Sequence, residues 1–257
     1  MSVSNIHFNP SVFSGGRFSS SAQSGWDIYW LIGQSNMVGE ALIRSGIDDD
    51  YSSVSGRVFQ FGFDSQSVTA AANALDHVNE NYGRMGLWLE FVKSRIGELD
   101  SSRNILLVPC AKGGSSFSRN DWNPGNTLYS SALARLASAM ADGSGANRLC
   151  GALWLQGESD ADDGVSSANA YSQNLQAMYS AMVASAAGMT ASTPFIVGSI
   201  KPDKSRANII NASLQAFATG NAAARYVDLT DLSFIDGDHY TASSLATAGQ
   251  RYAGAFL

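Results

Sequence analysis

Asp27-Ile28-Tyr29-Trp30-Leu31-Ile32-Gly33-Gln34-Ser35-Asn36-Met37 is the stretch on which the fold turns. Its apolar run, 28–32, is short and continuous rather than alternating. That pattern fits a strand buried on both faces of a parallel sheet. The run ends on a glycine and passes directly into polar residues, as a strand-to-helix turn does. Similar short runs recur at 57–61, 104–109, 149–155, 195–200 and 226–229. Between them the spacing predicts helices near 84–98, 127–141, 166–187, 205–219 and 241–256. The last carries Leu245, Ala248, Tyr252 and Ala255 on one stripe. Strand–helix alternation of this kind predicts an α/β chain: a three-layer α/β/α sandwich around a flavodoxin-like, doubly wound parallel sheet of about five strands. In such sheets ligands bind outside the carboxyl ends of the strands, where the winding reverses.

Residues 1–24, rich in Ser, Gly and Asn, read as a flexible arm or linker remnant, and 25–257 as a single domain. The arm lacks the basic start and apolar stretch of a secretory signal, which leaves a cytoplasmic location or export within a larger surface or virion assembly. Hydrophobic residues make up 45% and charged residues 15%, enough for a sizeable core. Sixteen basic against twenty-two acidic side chains give a net charge of −6, which argues against a nucleic-acid partner. No apolar run reaches the roughly 20 residues of a membrane span. Three histidines leave little for a metal cage. Cys110 ends one predicted strand and Cys150 precedes another, so both are expected to be free, mostly buried thiols.

Four segments after predicted strands carry polar chemistry. In Gly33-Gln34-Ser35-Asn36-Met37 the Ser35 hydroxyl faces the crevice, and its N–H lies at a helix start, where negative charge is favoured; a plain helix N-cap is the alternative. Lys112-Gly113-Gly114-Ser115-Ser116 has a glycine pair able to turn an N–H toward a ligand, or to be an ordinary turn. In Trp154-Leu155-Gln156-Gly157-Glu158-Ser159-Asp160 the Gln156 amide is able to offer an oxyanion donor to the crevice, or to be a satisfied polar residue at the sheet edge. Its Glu158 and Asp160 are either a carboxylate pair or loop anchors. In Asp236-Gly237-Asp238-His239-Tyr240, an Asp three residues before a His is able to accept from Nδ1–H and leave Nε2 as a base. His7 and His77 have no such partner in sequence. Nucleophile, base, orienter and oxyanion donors are thus all present.

Those four blocks, GQSNM at 33–37, Gly-Gly-Ser at 113–115 with Trp122 downstream, WLQGESD at 154–160 and DGDH at 236–239, resemble the SGNH (GDSL-type) hydrolase superfamily. The resemblance is strongest to the branch of sialate O-acetylesterase-like proteins and carbohydrate esterase family six, and spans about 27–257. It implies Ser35 as nucleophile, His239 as acid–base and Asp236 as orienter. It also implies an oxyanion hole from the N–H groups of Ser35 and Gly114 and the Gln156 side chain. Gln34, Gly113, Glu158 and Trp122 are expected to bind substrate or support the site. The implied reaction removes an O-acetyl group from an acetylated carbohydrate, with no cofactor. Trp122 and Tyr240, aromatic residues of crevice-side loops, are compatible with stacking on sugar rings; simple loop packing is the alternative for Trp122. A GDSL-type lipase or thioesterase, and a non-catalytic carbohydrate-recognition module of a surface or phage tail protein, are the alternatives.

Overall fold

The computed structural model describes residues 25–79, 83–143 and 146–256; the expected arm at 1–24 lies outside them. The strands are β1 (Trp26–Gly33), β2 (Ala41–Leu42), β3 (Val58–Phe61), β4 (Val68–Ala70), β5 (Arg84–Met85), β6 (Asn104–Pro109), β7 (Arg148–Leu155), β8 (Phe195–Gly198) and β9 (Ala224–Val227). The helices are α1 (Ser35–Val38), α2 (Trp88–Ile96), α3 (Thr127–Ala141), α4 (Glu158–Asp162), α5 (Val165–Ser185), α6 (Ala207–Gly220) and α7 (Ala242–Gly254).

The main sheet has seven strands in the order β4-β3-β6-β1-β7-β8-β9. It is larger than the about five strands expected: all six predicted runs join one sheet, and β4, which no run predicted, adds an edge. All neighbours pair in parallel except β4, which folds back on β3 as a hairpin. The separate pair β2–β5 is antiparallel. The opening stretch is the sheet's middle strand. Every residue of β1 is buried, and the pleat sends its side chains alternately to two cores. Ile28, Trp30 and Ile32 meet α3, α5 and α6 on one face, while Tyr29 and Leu31 meet α2 and α7 on the other. The predicted stripe on α7 is buried in this second core at Leu245, Ala248 and Tyr252. The result is a three-layer, doubly wound sandwich.

The chain winds from β1 toward β3 and β6, then crosses to β7, β8 and β9. The reversal falls at β1, between β6 and β7, and three of the four polar segments begin where those three strands end. Gly33 closes the gap between two of them. Its φ is +141°, and an added Cβ would lie 2.1 Å from the Leu155 carbonyl oxygen, so only glycine lets the end of β1 approach β7 this closely. The next N–H, of Gln34, donates to that same carbonyl at 2.9 Å. Cys110 and Cys150 are free thiols, the first buried and the second half-buried. Among the described residues, no helix is long and apolar enough to cross a membrane.

Candidate active site

Ser35, the first residue of α1, is buried, with its side chain at the carboxyl end of β1. The fourth segment reaches it from the far side of the sheet, on the loop between β9 and α7. His239 Nε2 lies 3.1 Å from Ser35 Oγ, and His239 Nδ1 lies 2.8 Å from Asp236 Oδ2. An Nδ1–H donated to the carboxylate leaves Nε2 as the acceptor for the serine hydroxyl. Asp236 is held in turn, since its Oδ1 accepts the N–H groups of Asp238 and His239, each at 2.7 Å. Partial burial raises the Asp236 carboxyl, but those backbone donors and the imidazole outweigh it and bring it to about 2. The orienting group therefore stays ionised across the working range of an imidazole base.

The glycine turn runs beside the nucleophile: a Cβ on Gly113 would lie 4.0 Å from Ser35 Cβ. The Gly113 N–H is taken by Asn79 Oδ1 at 3.1 Å. The Gly114 N–H has no partner among the described residues, and Gly114 adopts φ +68°, a conformation suited to glycine. The Gly114 carbonyl accepts from Arg119 Nη1 at 2.7 Å, and the Arg119 guanidinium is itself forked onto Asp163 at 3.0 and 2.6 Å. Arg119, Asp163 and Asn79 thus fix the turn's orientation. They lie outside all four blocks, and no motif singles them out. At the start of α1, the Ser35 N–H has no carbonyl one turn back to receive it.

A family described as carbohydrate esterase, sialic acid-specific acetylesterase, matches residues 25–257. The chain belongs to that family. The match bears out the resemblance carried by the four blocks. A curated relative, named "Probable 9-O-acetyl-N-acetylneuraminic acid deacetylase", of Escherichia coli K12, is 28% identical over 95 residues. That match spans 31% of this chain and 29% of the relative. Two solved structures share the fold. A protein of Arabidopsis thaliana superposes with a TM-score of 0.76 at 22% identity, covering 90% of this chain and 97% of its own. A carbohydrate acetylesterase from Xanthomonas citri gives 0.64 at 18% identity, covering 89% of this chain and 55% of its own.

Within this acetylesterase-family site, several expected roles change. Gln156 is wholly buried, and its Nε2 faces Asp160 Oδ2 at 2.7 Å, Gln34 Oε1 at 3.1 Å and the Ser115 carbonyl at 3.2 Å. Its two hydrogens are committed inside the protein, so it is a cross-link between segments rather than a free oxyanion donor. Gln34 is buried with it, and its Oε1 also accepts from the N–H groups of Gly157 and Ser159, both at 3.3 Å. Asp160 completes the knot by accepting from the N–H groups of Phe117 and Ser118 and from Ser167 Oγ. It is a loop anchor, not half of a hydrolytic carboxylate pair. Trp122 and Tyr240 are fully buried and unavailable to a sugar. Trp122 packs edge-on against Trp154 and donates to Ser115 Oγ, while Tyr240 donates to the Ser199 carbonyl. Large aromatic side chains beside a polar turn serve the core here. His77 is buried too, and its Nδ1 accepts the Ala111 N–H at 3.0 Å, just ahead of the glycine turn. Burial holds its pKa down to about 3, so it stays neutral.

Glu158, the residue whose role the sequence left open, is buried against Asn36, whose Nδ2 donates to Glu158 Oε1 at 2.6 Å. Glu158 Oε2 has no hydrogen-bond partner among the described residues. Burial pushes this carboxyl up from an ordinary 4.5 to about 7, with the negative charge of Asp238 adding to the rise. The folded state therefore binds a proton here that the unfolded chain has already lost between those two values. Stability attributable to this group is present at low pH and falls as pH rises from about 4.5 through about 7. Glu158→Gln removes that loss. From pH 5 to pH 8 the variant is expected to gain on the wild type by up to about 3 kcal/mol, read as the difference between their unfolding free energies. Parallel pH profiles for the two proteins contradict this assignment.

Proposed function

We propose that this chain is a serine esterase that removes O-acetyl groups from a carbohydrate. The observation that carries the reading is the unbroken relay from Asp236 through His239 to Ser35, with contacts of 2.8 and 3.1 Å. Neutral His239 accepts the Ser35 proton as Oγ attacks the acetyl carbonyl. The oxyanion that forms is met by the unpartnered N–H groups of Ser35 and Gly114, at a helix start where negative charge is stabilised. His239 then protonates the departing sugar oxygen. A water deprotonated by the same imidazole releases acetate from the acyl-enzyme.

The choice of acetyl ester and sugar is supported by the family description and by the name of the E. coli relative, a sialate deacetylase. The test is acetate release from a panel of acetylated glycans, acetylated sialic acid among them, beside nitrophenyl esters of increasing acyl length. Turnover confined to acetyl esters, with at least one glycan deacetylated, is the expected result. Faster turnover of long-chain esters or thioesters would overturn it in favour of a lipase or thioesterase.

A further inference from the structure

The four-residue helix α1 contributes two side chains to the site, and only the first belongs to the relay. Asn36, next to the nucleophile, is fully buried. Its Nδ2 donates to Glu158 Oε1 at 2.6 Å and to the Asp238 carbonyl at 2.9 Å, and its Oδ1 accepts the Tyr240 N–H at 3.1 Å. Both donor hydrogens and the acceptor oxygen are in use, so the amide's orientation is determined. The two backbone groups it holds stand on either side of His239.

We propose that Asn36 is a positioning residue that sets the Ser35–His239 distance, with Glu158 holding its amide in place. This rests on the esterase reading above. Other ties on the loop do not do this work. Lys201 Nζ donates to the Asp236 carbonyl, Lys204 pairs with Asp238, and Tyr240 donates to the Ser199 carbonyl. All three fasten the loop to the segment after β8. Among the described residues, the hydrogen bonds between α1 and the loop are those of Asn36 and the Ser35–His239 contact itself.

The chemistry of the three contacts selects an amide of this length. A carboxylate at position 36 faces the Asp238 carbonyl oxygen, which has no hydrogen to offer, and sets a second buried carboxyl group against Glu158. A methyl group there leaves the buried Tyr240 N–H and the half-buried Asp238 carbonyl without this partner. In either case the loop loses its register on α1, and Nε2 moves from in-line contact with Oγ. A displacement of about 1 Å at a reacting pair costs roughly 100-fold in rate.

The experiment measures kcat and KM for acetyl-ester hydrolysis by Asn36→Ala and by Asn36→Asp, which keeps the side chain's size. Thermal unfolding confirms that each is folded, and Ser35→Ala is assayed alongside. The expected result is a fall in kcat of roughly 100-fold with KM changed less than about threefold, together with an equal slowing of Ser35 phosphonylation by a fluorophosphonate. Folded variants with kcat near wild type overturn the proposal. Failure of both variants to fold also overturns it, since Asn36 is then a structural brace. If Ser35→Ala retains activity, the esterase reading itself fails. If only Ser35→Ala is inactive, this inference alone fails.

Discussion

Ser35→Ala is expected to lower kcat for acetyl-ester hydrolysis by about 10⁴- to 10⁶-fold. The variant loses the atom that forms the acyl-enzyme, and His239 is left as a base with only water to activate. The residual rate comes from substrate binding and the backbone N–H groups of the crevice, which persist without the hydroxyl. Stability should hardly change. Ser35 Oγ makes one hydrogen bond, to an imidazole that is itself partly open to solvent, so water replaces the lost partner. The check is kcat beside a thermal melt. A loss of activity matched by a loss of folded protein would not support the nucleophile assignment, and retained activity would remove it.

Asp236→Asn has the second largest expected effect, about 10⁴-fold in kcat, and the local geometry says why. Oδ1 of Asp236 accepts two backbone N–H groups, from Asp238 and His239. An amide in this position must turn its carbonyl oxygen to those donors. Its NH2 then faces His239 Nδ1, which has to accept instead of donate. The imidazole proton moves to Nε2 and points at Ser35 Oγ, so the base is occupied by the very proton it should receive. The variant is folded and of near-identical shape, yet holds the wrong tautomer. A drop of less than about tenfold would show that Asp236 does not set the tautomer.

Much of this architecture is legible in the sequence, for physical reasons. The expected strand 104–109 and helix 127–141 coincide with β6 and α3, because a doubly buried strand and an amphipathic helix each impose a period that the residues must follow. β4 has no such signature. Its three residues are half-buried or exposed, and only pairing with β3 makes them a strand. α1 and α4, of four and five residues, are too short to show a helical period. Ser35, Asp236 and His239, which the structure brings within hydrogen-bonding distance of one another, stand out in the sequence because one follows a strand and the other two are three residues apart across a turn.

The supporting residues were less legible, since their roles depend on partners distant in sequence. The Gln156 amide turns inward because Asp160 and the Ser115 carbonyl, four and forty-one residues away, offer acceptors there. Trp122 is drawn into the core by Trp154 and Ser115. Asn36 lay in view within the first block, but its function arises only when residues 158, 238 and 240 fold around it.

The most direct test of the relay is titration of the wild-type protein with a fluorophosphonate, following residual acetate release and the site of the adduct. One equivalent bound at Ser35, with activity falling in proportion and labelling abolished by His239→Ala, is the predicted outcome. Full activity after labelling, or an adduct on any other residue accompanying the loss, would contradict it.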